Sequence, residues 1–222
     1  MDAIVTDPRI HVIEDIGLNE PGSAIKMELT EVRAAMAGTQ VPPDALDLLV
    51  LLKHMTGFIH GRYADKTREM KDCLPTLHAM TASDSHIVAI IGDLFDPEID
   101  DRERNEALSR FLRDNNVVSY CYFSEGSMSK VTTDHEPTEE EVEEMMKKVM
   151  AKELPTTEIA VFHAETLHRA VVYAFPLTPC VDGSKDMGDC PVFVHKAERG
   201  KEEDAAGDPV RFLLDGPPTI LH

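Results

Sequence analysis

Residues 158–176 read EIAVFHAETLHRAVVYAFP, the densest β-branched and aromatic run in the chain. Side chains of this kind suit a pleated, half-buried surface, so the stretch predicts strand. It also places His163, Glu165 and His168 within six positions. His163 and Glu165 are two apart, so on a strand they share a face. A tight turn near Thr166 would return His168 to that face, although no Gly or Asn marks the corner.

Upstream, VVSYCYFS at Val117–Ser124 is a second strand, followed by a polar loop from Glu125 to Pro137. Thr138 with Glu141 forms a capping box ahead of the stripe Val142, Met145, Met146, Val149 and Met150. Glu143 with Lys147 and Glu144 with Lys148 add i,i+4 pairs in the favourable order. Downstream come a polar loop between Cys180 and Cys190, a strand over Pro191–Lys196, an acidic turn, and a last strand over Val210–Leu214.

The first half reads mainly as helix. Ile10–Ile13 forms an extended lead-in. Ser23 then caps a helix to about Ala37, with Ile25, Leu29, Val32 and Met36 inward and Gly38 as its stop. Pro42-Pro43-Asp44 opens a second helix to Gly61 that is apolar nearly all round, hence central. Arg62–Met80 reads as a third helix split at Pro75. HIVAIIGDLFD at residues 86–96 is too short for periodicity to decide, and Ser83-Asp84 ahead of it favour helix. Asp96-Pro97-Glu98 reads as a helix start, with the helix running to Asp114 and ended by Asn115-Asn116.

The expectation is therefore a single α+β domain over residues 1–222. A helical part, about 23–114, packs on a mainly antiparallel β-rich part, about 117–215, with one inserted helix. No regular βαβ alternation and no fixed-period repeat occurs.

The chain has 22 Lys and Arg against 41 Asp and Glu, a formal net charge of −19. Such a balance disfavours binding to duplex nucleic acid and to anionic membranes, where affinity comes from cationic side chains. No basic segment leads an apolar one near Met1, and the longest strongly apolar run is Leu48–Leu52. A cytoplasmic location with free thiols is expected, without a membrane span. None of the four cysteines forms C-x-x-C, which excludes zinc ribbons and thioredoxin-type sites. In an oxidising compartment Cys180 and Cys190 could close their loop.

His163, Glu165 and His168 are a sensible donor set for a divalent transition metal, with Asp182 or Glu125 as a candidate base. Against this stands the plainer reading of a partly buried strand histidine beside an exposed bend. His54 and His60 fall on different helix faces and miss H-E-x-x-H. His78 and His86 near Asp84 do not make a triad. Ser127–Lys130 fits S-x-x-K but lacks its partner motifs. The acidic runs at Asp96 and Asp182 fail the calcium loop, with Asp101 and Met187 at its glycine position. No phosphate-binding glycine loop is present.

The expected function is thus an acidic protein-binding, assembly or accessory module, with no cofactor predicted and a protein partner or self-association expected. Its contact region would include the helix from Thr138 to Lys152 and the edge of the C-terminal sheet. The alternative is a metal-dependent hydrolase on His163, Glu165 and His168, and a lesser one is an acidic nucleic-acid mimic.

Overall fold

The computed structural model describes residues 7–17, 24–39, 43–64, 74–83, 85–129, 138–151, 153–198 and 213–214. Its framework is an antiparallel sheet of eight strands. The strands are β1 (His11–Gly17), β2 (Thr76–Thr81), β3 (Ser85–Ile90), β4 (Val117–Ser129), β5 (Thr156–Thr166), β6 (Arg169–Pro179), β7 (Lys185–Met187) and β8 (Phe193–Glu198). They lie in the order β1-β3-β2-β4-β5-β6, with β7 and β8 both on β6. Four α-helices accompany them: α1 (Ala24–Ala35), α2 (Pro43–Ala64), α3 (Asp101–Asp114) and α4 (Glu139–Met150).

Alternation along the strands splits the interior into two layers. Cys121, Phe123, Ala160, Phe162 and Ala164 pack with Leu48, Leu51, Met55 and Ile59 of α2 and with Leu29 of α1. Tyr120, Leu77, Ala79, Ile87 and Ala89 pack on the other side with Ala107, Leu108, Phe111 and Leu112 of α3. The apolar character of α2 follows from its place across the sheet centre, where its buried positions recur at helical spacing from Leu48 to Tyr63.

The α+β class and the antiparallel sheet agree with the sequence reading, but strands are not confined to the second half. Residues 76–81 form β2 and residues 85–90 form β3, not helix. β2 is paired on both edges and covered on both faces, and all six of its residues are buried. A strand of this kind shows no polar alternation, so periodicity cannot separate it from a buried helix. The β-branched Ile87, Val88, Ile90 and Ile91 were the available signal. Gly92–Phe95 is a single 3-10 turn.

Helix α3 starts four residues later than its Asp-Pro-Glu signal suggests. Asp100 is the cap, its Oδ1 accepting from the Glu103 N–H at 2.7 Å. Asp96 instead closes a turn, accepting from the Glu98 N–H at 2.8 Å. Asn116 follows the helix at φ 50°, a left-handed conformation that asparagine tolerates. The Thr138 capping box forms as read, with Glu141 N–H on Thr138 Oγ1 and Thr138 N–H on Glu141 Oε2. Both lysine pairs of α4 form at 2.7 Å.

Several expected features fall on residues outside those described: the Ser23 and Asp84 caps, Pro42, most of Arg62–Pro75, the acidic turn and Val210–Phe212. Among the described residues no helix is long and apolar enough to cross a membrane.

Phe162 is fully buried, its ring 5.5 Å from that of Phe123 and 5.6 Å from that of Phe175. Phe162→Ala is expected to destabilise the fold by about 3–5 kcal/mol. Urea unfolding would show this as a lowered midpoint at an unchanged slope.

Candidate functional site

The turn that the sequence leaves unmarked is made by a hydroxyl. Thr166 Oγ1 accepts from the N–H of Arg169 at 3.1 Å and of His168 at 3.3 Å. This substitutes for the left-handed residue of a common two-residue hairpin. β5 therefore ends at Thr166, and His168 stands exposed on the corner. The structure brings His163 and Glu165 together and leaves His168 out. Among the described residues, no three His, Cys, Asp or Glu side chains are arranged to hold a metal ion.

Glu165 is 0 % exposed and lies on the α3 face of the sheet. Register sets it opposite Tyr120, and His163 opposite Tyr122. The Tyr120 hydroxyl donates to Glu165 Oε2 at 2.6 Å. His163 Nε2 lies 3.4 Å from the same hydroxyl and 3.8 Å from Glu165 Oε2. Two backbone amides complete the set: Leu213 N–H donates to Oε2 and Leu214 N–H to Oε1, each at 2.9 Å. Among the described residues the carboxylate thus accepts from a phenol and two backbone amides supplied by two distant parts of the chain.

Burial governs the protonation of this cluster. It holds His163 down at about 4, so the imidazole is neutral at physiological pH. Burial, reinforced by the Glu165 charge, raises the Tyr120 phenol well above its ordinary value. Burial likewise pushes Tyr122 up to about 12. The cluster has a neutral imidazole, two protonated phenols and a carboxylate whose lone pairs are engaged. Its chemistry is that of a polar anchor for peptide amides.

The candidate bases lie elsewhere. Glu125 is opposite Ala160, so it belongs to the α2 face, away from His163 and Glu165. There it accepts from the Tyr63 hydroxyl and from Lys185 Nζ, both at 2.6 Å. Asp182 is an exposed turn residue that accepts from the Ser184 N–H at 3.0 Å. Cys180 and Cys190 are free. The pairing of β7 explains why: Gly188 N–H donates to Pro176 O and Cys190 follows beyond it, while Cys180 lies four residues from Pro176 in the other direction, just past the end of β6. Four residues of strand span about 13 Å. A disulfide needs Cα atoms within about 7 Å.

A second histidine pair occupies the α2 face. His78 Nδ1 and His86 Nε2 are 3.1 Å apart, both rings buried. His78 lies opposite Cys121 on β4, and His86 opposite Met80 on β2. Desolvation, with a smaller repulsion from His86 and His54, lowers His78 to about 3, and desolvation with repulsion from His54 lowers His86 to about 4. Tyr120, Leu213 and Leu214 were missed as site residues because they meet Glu165 only through the fold. Tyr120 carried a weak signal as a phenol inside a buried strand, where its hydroxyl needs a partner.

Two measurements test this account. Glu165→Gln sets an amide N–H against a donor, an expected loss of about 1–3 kcal/mol with faster hydrogen exchange at Leu213 and Leu214. The second concerns pH. The folded-state values of His78, His86 and His163 lie below the unfolded value of 6.5. The unfolded chain therefore binds more protons, and stability is complete above 6.5 and lost as pH falls towards 4. At pH 5 each histidine accounts for roughly 2 kcal/mol of that loss. Urea titrations between pH 7 and 5 should show this slope, and His163→Gln should remove about a third of it.

The chain matches no protein-family model, no curated protein and no solved structure, so its function rests on the chemistry of these residues.

Proposed function

We propose that the chain acts by binding a partner protein, another chain or a second copy of itself, through the outer edge of β8. The observation that carries this reading is the state of that edge. Among the described strands β8 pairs with β6 alone. Val192, Phe193 and Val194 at its start are 51, 38 and 45 % exposed. An edge that meets no further described strand and carries apolar side chains offers a template for an added strand, whose main-chain bonds give affinity and whose side chains give specificity.

The opposite edge differs. β1 carries a register shift between Val12 and Glu14. A bulge of this kind twists an edge away from further pairing. Helix α4 adds a second exposed apolar group in Val142, beside three acidic residues in its first turn. With a net charge of −19, complementarity favours a basic partner and a fast, salt-dependent association.

A photocrosslinking residue at Val194 should capture a discrete protein in native lysate, whereas one at the exposed Arg102 of α3 should not. Once that protein is purified, Val194→Lys should weaken its binding at least tenfold, about 1.4 kcal/mol, with the fold retained. Equal labelling from both positions, or an unchanged affinity, would sink the reading.

A further inference from the structure

We infer that the contact surface around Glu165 is a peptide-binding seat, filled in this structure by the bend at the chain's own Leu213–Leu214, and that its ligand is a bent segment with two adjacent aliphatic residues. It uses the α3 face at Glu165, two strands in from β8 along the Glu165–Ala170–Ala197 row, and not the outer edge of β8.

The seat is defined by what it reads. Both carboxylate oxygens of Glu165 accept from consecutive backbone amides, Leu213 on Oε2 and Leu214 on Oε1. Backbone amides are common to every peptide, so this fork recognises main chain in one direction and register. Side-chain selection comes from the walls. Leu213 is 3 % exposed and joins the core layer of Leu108, Phe111, Leu112 and Val117, while Leu214 packs at its border. An occupant must therefore bring a buried aliphatic side chain immediately followed by a second one. Tyr120 holds the carboxylate in place from below through its 2.6 Å hydrogen bond. The receptor atoms are thus preset by the sheet, on β4 and β5, whereas Leu213 and Leu214 form a bend.

A peptide in cis limits access to the seat. Fourteen residues separate β8 from Leu213. A segment tethered over that length competes at an effective concentration on the order of millimolar. A partner must therefore outcompete the chain's own leucines, which makes Leu213–Leu214 an intramolecular inhibitor of the seat.

The test uses the full chain and a fluorescent peptide with the sequence of residues 208–217, DPVRFLLDGP. Leu213→Asp together with Leu214→Asp empties the seat. Fluorescence anisotropy should then show the peptide binding the doubly substituted chain at least tenfold more tightly than the wild type. N-methylation of either leucine amide in the peptide should abolish binding. Equal binding to both chains, indifference to N-methylation, or no binding to a substituted chain with native circular dichroism would each overturn the proposal. A wild-type dimer that is lost in the substituted chain would give the seat to a second copy and overturn a separate partner. Should the substituted chain fail to fold, the peptide at millimolar concentration must accelerate amide exchange at Leu213 and Leu214 in the wild type, and unchanged exchange would overturn the inference.

Discussion

The pairing of β4 with β2 on one side and β5 on the other is the constraint on which the rest of this molecule depends. β4 is matched to β5 from Ser119 opposite Thr166 to Ser129 opposite Thr156. Its other edge is matched to β2 from Val117 to Phe123. Period-two alternation then assigns its side chains, Cys121 and Phe123 to the α2 layer and Tyr120 to the α3 layer. A slip of one residue would exchange the two sets, setting Phe123 against α3 and leaving Tyr120 without its carboxylate. The packing of both helical layers and the construction of the Glu165 cluster therefore rest on one register.

That register also explains why a carboxylate can be buried here. Removing a charged group from water is expensive unless its lone pairs are filled. Glu165 has its oxygens met by a phenol from β4 and by two amides from residues 213 and 214. The phenol is fixed by the sheet. The amides come from the bend at Leu213–Leu214, so the carboxylate fixes those two residues as much as they satisfy the carboxylate. Hydrogen bonding and apolar burial act together here, since Leu213 enters the α3 layer at the same point.

Legibility in the sequence followed the range of the interaction. The Thr138 capping box, the α4 lysine pairs and the end of α3 at Asn115-Asn116 are local, and each forms as read, whereas the strand read over Val117–Ser124 continues to Ser129, so Glu125–Ser129 is paired strand and not the expected loop. β2 and β3 are not legible as strands because partners on both edges remove the alternation that would identify them. Asp96 and Asp100 are both chemically able to cap α3, and only the path of the chain from the 3-10 turn selects the second. The proximity of His163 and Glu165 was visible because two positions on a strand suffice. Tyr120 lies 45 positions from Glu165 and Leu213 lies 48, and no local pattern links them.

The distribution of charge follows from the same architecture. A chain with 41 acidic residues repels itself when compact, and among the described residues Glu165 is the fully buried carboxylate, set among neutral groups. The buried histidines are held uncharged on both faces of the sheet, two under α2 and one under α3. The acidic surplus is left to surfaces such as the first turn of α4, where helix geometry favours carboxylates. Self-repulsion between copies rises with that surplus, while a strand edge as apolar as Val192–Val194 invites pairing. The two tendencies oppose each other for a second copy and agree for a basic partner. On the proposed reading, the surface that carries the charge would discriminate among the occupants that the edge alone would admit.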